Sequence, residues 1–182
     1  MLTTKSTAIV RSGNFALMGQ EGIELRMKTL VSRVDLFDQT VTAYMARYGI
    51  TLLRISVGII FIWFGFLKYF PGLSPAEGLA SKTLEVVSFG MLPPRAAIII
   101  LATWECAVGL GLILAIFLRT TLLLLWLQMA GTVAPMLLFP HEVFSHFPYA
   151  PTLEGQYIIK NLVLASAGVV VGATVRGGRL RS

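Results

Sequence analysis

Six polar side chains, Arg54, Lys68, Glu105, Gln128, Lys160 and Asn161, fall inside stretches that are otherwise apolar. A charge placed at the centre of a membrane helix costs about 2.5–3.5 kcal/mol, so a chain that keeps one uses it as an ion pair, a ligand site or a proton-exchanging group. Glu105 is the most central acid, flanked by Trp104 and Cys106 and sharing a helical face with Ala102 and Gly109. Arg54, Gly58, Phe61, Gly65 and Lys68 follow at steps of four, three, four and three, which puts two cations and two glycines on one face. Glycines there let a neighbouring backbone come close, so the face meets protein rather than lipid. A rise of about 1.5 Å per residue leaves Glu105 nearest in depth to Lys160, about 6 Å away, with Arg54 as the rival partner. The expected pair is therefore Glu105–Lys160, while Lys68 near a span end can reach water along its own stem.

Other residue types carry less. Gln128, Thr132 and Pro135 share nearly one face of the third span, where a proline bends a helix and frees a carbonyl. Asn161, Ala165, Gly168 and Gly172 form a small-residue face on the fourth span, suited to close packing within the bundle or against a second copy. His141 and His146 flank Glu142, but their spacing matches neither a helical ligand pair nor a zinc finger, so no metal is expected and these two are weak candidates. The lone Cys106 excludes an internal disulfide and a two-thiol relay within one chain. No phosphate loop, nucleophile elbow or haem-attachment motif occurs, so no cofactor is evident.

The elements that must position these residues follow from composition. Of 182 residues 55% are hydrophobic and 13% charged, against about 25% charged in soluble domains. With a mean hydropathy of +0.77, the deficit points to a bilayer. Runs near 49–70, 96–117, 120–139 and 157–175 are each long enough to cross, since a span needs about 20 residues. The net charge of +6 gathers before the first run and after the last, while 141–155 has no Lys or Arg. That asymmetry predicts both ends in the cytoplasm and no nucleic-acid role.

Residues 1–22 read as a flexible cytoplasmic tail, 49–175 as the membrane domain and 176–182 as a basic cytoplasmic tail. Across 23–48, Ile23, Met27, Leu30, Val34, Phe37, Val41, Tyr44 and Tyr48 recur at alternating steps of four and three on a charged helix. Such a stripe suits the membrane interface, or a seam joining two copies. In the loop after the first span, Ser74-Pro75-Ala76-Glu77 has the form of a capping box, and the helix it opens should stop at Gly90. The fold expected is all-α: a four-helix transmembrane bundle with an N-terminal amphipathic cytoplasmic helix and a short periplasmic helix between the first two spans.

Gly49-Ile50-Thr51-Leu52-Leu53-Arg54 through Phe61-Ile62-Trp63-Phe64-Gly65-Phe66-Leu67-Lys68, then Trp104-Glu105 with Gly109-Leu110-Gly111, then Lys160-Asn161-Leu162, resemble the DoxX-like membrane proteins, most nearly the YkgB-like, reactive-chlorine-resistance branch. The resemblance covers roughly 48–175. It implies a bacterial inner-membrane protein connected to oxidant or redox stress, with Arg54, Lys68, Glu105, Lys160 and Asn161 at the matching positions. A non-catalytic protein with a buried charged cavity is the first reading. A quinone-linked oxidoreductase subunit with a redox-enzyme partner is the enzymatic alternative, and a small-solute transporter or channel is the third.

Overall fold

A computed structural model describes the backbone of residues 4–178 and the side chains of 26–178 apart from Thr29. The protein is all-α in its architecture. Helices α1 (Thr4–Leu67), α2 (Glu77–Val87), α3 (Pro94–Leu114), α4 (Leu118–Leu138), α5 (Pro140–Val143) and α6 (Leu153–Thr174) are joined by one small hairpin, β1 (Phe144–His146) against β2 (Ala150–Pro151). α3, α4, α6 and the part of α1 from Arg26 are long and apolar enough to cross a membrane.

The chain forms two units, Met1–Gly49 and Ile50–Ser182. In the first, the backbone is already helical from Thr4, so helix replaces the tail expected over 4–22; no proline interrupts the stretch. Residues 1–3 of that tail, the side chains of residues up to 25 with Ile23 among them, and residues 179–182 of the basic C-terminal segment lie outside the described residues. Met27, Leu30, Val34, Phe37, Val41, Tyr44 and Tyr48 are all exposed on this helix. Tyr44 and Tyr48, one turn apart, bring their rings to 4.5 Å between centroids.

The second unit is built on a core of Val57, Phe61, Val108, Leu112, Leu122, Leu125, Met129, Ala167 and Val171. These come from α1, α3, α4 and α6, and most of the remaining large apolar side chains point outward, as they do where lipid rather than water is the solvent. α3 starts at Pro94, whose missing N–H costs nothing at the first helical position, and ends where Ala115 turns left-handed and the Ile116 N–H returns to the Gly111 carbonyl at 3.2 Å. The helix thus runs from two residues before to three residues short of the expected 96–117. α6 begins at Leu153 rather than 157, because Thr152 accepts the Gly155 N–H at 3.2 Å and Glu154 stands in the positive first turn.

A second cluster, Leu79, Val143 and Phe144 with Met136, Phe139 and Ile158 around it, seats α2, α5 and the hairpin against the end of α4 and the first turns of α6. The capping box at its entrance does not form. The N-cap of α2 is Ala76 without a side-chain bond, and the Glu77 carboxylate accepts the Gly72 N–H at 2.8 Å instead. α2 ends at Val87, ahead of the expected stop at Gly90: Phe89 takes φ +54° after the Ser88 cap, and the Gly90 N–H returns to the Glu85 carbonyl at 2.9 Å with φ +71°.

Candidate functional site

Glycines set the geometry of the buried charges. A Cβ on Gly109 would lie 2.6 Å from the Gly58 carbonyl oxygen, and one on Gly65 would lie 2.9 Å from the Cβ of Glu105. α1 and α3 therefore touch backbone to backbone along the face read from the 54–68 spacing. One turn beyond Gly65, Lys68 closes the end of α1, its N–H bonded to the Gly65 carbonyl at 3.1 Å.

The Lys68 Nζ donates to Glu105 Oε2 at 2.6 Å and to the Phe64 carbonyl at 3.3 Å. The Gln128 Nε2 donates to Glu105 Oε1 at 2.9 Å. Each oxygen of the acid is thus held by a donor from a different helix, and the side chains of the pair are only 8% and 12% exposed. Above them Arg95 donates to the carbonyl oxygens of Lys68 and Tyr69, which hold the chain after α1 to the start of α3. The Tyr69 hydroxyl meets Thr103 Oγ1 at 2.8 Å on the same seam.

The partner of Glu105 is Lys68, and neither Lys160 nor Arg54. Side chains lean toward the N-terminus of their own helix. α1 arrives at the α2 end of the bundle and α3 leaves from it, so Lys68 leans down and Glu105 leans up until they meet. α6 also leaves from that end, so Lys160 leans up and away, exposed, with its Nζ 5.8 Å from the ring centre of Tyr157. Equal weighting of Cα heights misses this direction. Arg54 does something else: its Nη1 donates to the carbonyls of Leu112 at 2.6 Å and Ile113 at 3.3 Å, in the last turn of α3. Those carbonyls have no N–H partner inside the helix, and a cation there also meets the negative end of the helix dipole.

Asn161 is half-buried on α6 and joins none of these bonds. Gly168 and Gly172 lie on the side of α6 toward α4, nearest to Leu125 and Leu122. Pro135 is buried inside α4, and Thr132 Oγ1 donates to the Met129 carbonyl at 2.8 Å just before it. His141 and His146 are exposed on α5 and β1, and among the described residues no three His, Cys, Asp or Glu side chains gather as a metal site. The Cys106 Sγ is half-buried and faces the Ile62 carbonyl at 3.9 Å. The groove between α4 and α6 and the one on α3 beside Leu124 are lined by none of Lys68, Glu105 and Gln128. Lys68, Glu105 and Gln128 tie α1, α3 and α4 together through buried side chains.

Sequence reasoning missed Arg95 and Tyr69, which lie at the ends of elements rather than on a span face. The signal for Lys68 was present in the facing glycines, since Gly65 sits one turn before Lys68 and Gly109 one turn after Glu105. No curated protein and no solved structure matches the chain. The sequence profile of the DoxX family matches residues 49–141, which include Lys68, Glu105 and Gln128, and the chain belongs to that family.

Proposed function

We propose that this DoxX-family protein supports tolerance of oxidants as a non-catalytic component of the bacterial inner membrane, allied to the YkgB-like branch. The supporting observation is the closure of the polar centre: both oxygens of Glu105 are engaged, at 2.6 and 2.9 Å, by side chains that are themselves buried. A quinone head group or a travelling proton would need one of those positions. The network holds α1, α3 and α4 in a fixed arrangement, which suits a scaffold for a redox-enzyme partner better than a reaction site.

Deleting the gene should sensitise cells to hypochlorous acid while leaving unstressed growth unchanged. Complementation with the paired variant Lys68→Met, Glu105→Gln, which removes the charges together, should restore survival once membrane abundance is matched to wild type. Matching is required because loss of a packed pair lowers abundance by itself. A paired variant that is abundant yet fails to protect would transfer the role to the charges, and recovery of a missing electron-transfer activity by added quinone would establish the oxidoreductase. Altered uptake of a small solute with unchanged oxidant survival would establish a transporter.

The basic ends and the Lys/Arg-free 141–155 segment support an orientation with both termini in the cytoplasm. In a Cys106→Ser background, Ser145→Cys and Phe89→Cys, both exposed at the α2 end, should react in intact cells with a membrane-impermeant thiol reagent, and Ser12→Cys should not. The opposite pattern reverses the topology.

A further inference from the structure

At the end of the bundle away from α2, a groove of about 630 Å³ opens between α4 and α6. Arg119, in the first turn of α4, and Arg176, just past α6, both line it. Below them the walls are apolar, with Leu122, Leu123 and Trp126 on one side and the bare backbone of Gly168 and Gly172 on the other.

The charge there is one-sided. Residues 106–141 and 155–182 contain no Asp or Glu, and the only acid of α6, Glu154, stands at its other end. Among the described residues neither arginine has an ion-pair partner, and both are exposed. The sequence after Gly178 adds Arg179 and Arg181 and no acidic side chain. A second copy docked here about a two-fold axis would set arginines against arginines. Trp126 lies about 10 Å along the helix from Arg119 at 1.5 Å per residue, the distance from a phosphate to the upper acyl region that an amphipathic indole ring favours.

We propose that this groove holds an anionic phospholipid, its phosphate between Arg119 and Arg176 and an acyl chain against Leu122, Leu123 and Trp126 across the two glycines. The cations prefer a lipid of net negative charge to a zwitterionic one, whose own ammonium cancels the attraction.

Delipidated protein in detergent, offered equal amounts of phosphatidylglycerol and phosphatidylcholine with identical acyl chains, should retain the former preferentially in native mass spectrometry. The double variant Arg119→Gln, Arg176→Gln should lower that preference on the order of thirtyfold, the effect of two basic groups at an anionic surface. Arg33→Gln with Arg47→Gln removes the same charge from the first unit and should leave the preference intact. Gly172→Leu, which fills the groove while leaving the arginines, should reduce retention of both lipids. Inorganic phosphate should not displace the bound lipid, because the acyl chain supplies much of the contact. Equal retention of the two lipids by the wild-type protein, or equal loss of preference in the two arginine pairs, overturns the site, and displacement by phosphate alone reduces it to an anion site without lipid.

Discussion

Glu105→Gln should destabilise the detergent-solubilised protein by about 3–5 kcal/mol, because it strands the Lys68 ammonium in a packed interior. Lys68→Met in the same chain removes the stranded charge and should recover most of the loss. A double-mutant cycle read by thermal unfolding then gives a coupling at least as large as that recovery, about 3 kcal/mol or more. Lys160→Met supplies the contrast. Its ammonium is exposed beside Tyr157, so its effect should add to that of Glu105→Gln within about 0.5 kcal/mol. Arg54→Met should also be additive, since its carbonyl partner Leu112 lies about 10 Å along α3 from Glu105. Coupling to Lys160 or Arg54 with none to Lys68 would refute the arrangement. Gln128→Leu tests the third member, and a smaller cost is expected because it removes a neutral donor and leaves the ion pair in place.

The membrane class and the four spans were legible because they depend on composition and length, which lipid constrains directly. The polar residues of the centre were legible for the same reason: Lys68, Glu105 and Gln128 stand out against hydrocarbon. Their pairing was not, because depth counted along a helix axis ignores the lean of each side chain toward its own N-terminus. For antiparallel neighbours that lean decides whether two groups converge or diverge, and it separates Lys68 from Lys160. Local capping was only half legible. Gly90 does mark the neighbourhood of the α2 end with a left-handed backbone, but Phe89 before it is left-handed too, which no local pattern announces. The acid at its start is diverted to the Gly72 N–H, a contact that depends on the turn after α1 and that no local pattern encodes. The stripe read over 23–48 has a clear period, and its described residues from Met27 to Tyr48 are exposed, but a period specifies a face and not what covers it.

The largest structural effect is expected at the contact between α1 and α3, where Gly109→Ala should destabilise the protein by about 1–3 kcal/mol and Gly109→Leu should prevent the bundle from assembling. An alanine Cβ at 109 would lie 2.6 Å from the Gly58 carbonyl oxygen and 2.9 Å from the Ile62 backbone nitrogen. Those are backbone atoms of the facing helix, so no rotamer change relieves them and the helices must separate. Alanine also favours a helix over glycine by about 1 kcal/mol, which offsets part of the cost without reversing it. Gly78 in α2 isolates that opposing contribution, because nothing lies within 4 Å of a Cβ built there. Gly78→Ala should therefore stabilise the protein by about 0.5–1 kcal/mol. Opposite signs at the two sites separate close packing from intrinsic preference, and a stabilising Gly109→Ala would show that α1 does not approach α3 as closely as described. Separation also has an electrostatic consequence. Gly65 and Gly109 set the spacing that brings Lys68 to 2.6 Å from Glu105, so the double-mutant cycle repeated in the Gly109→Ala background should give a smaller coupling. An unchanged coupling would mean that the long lysine stem, and not the glycine contact, sets the length of the ion pair.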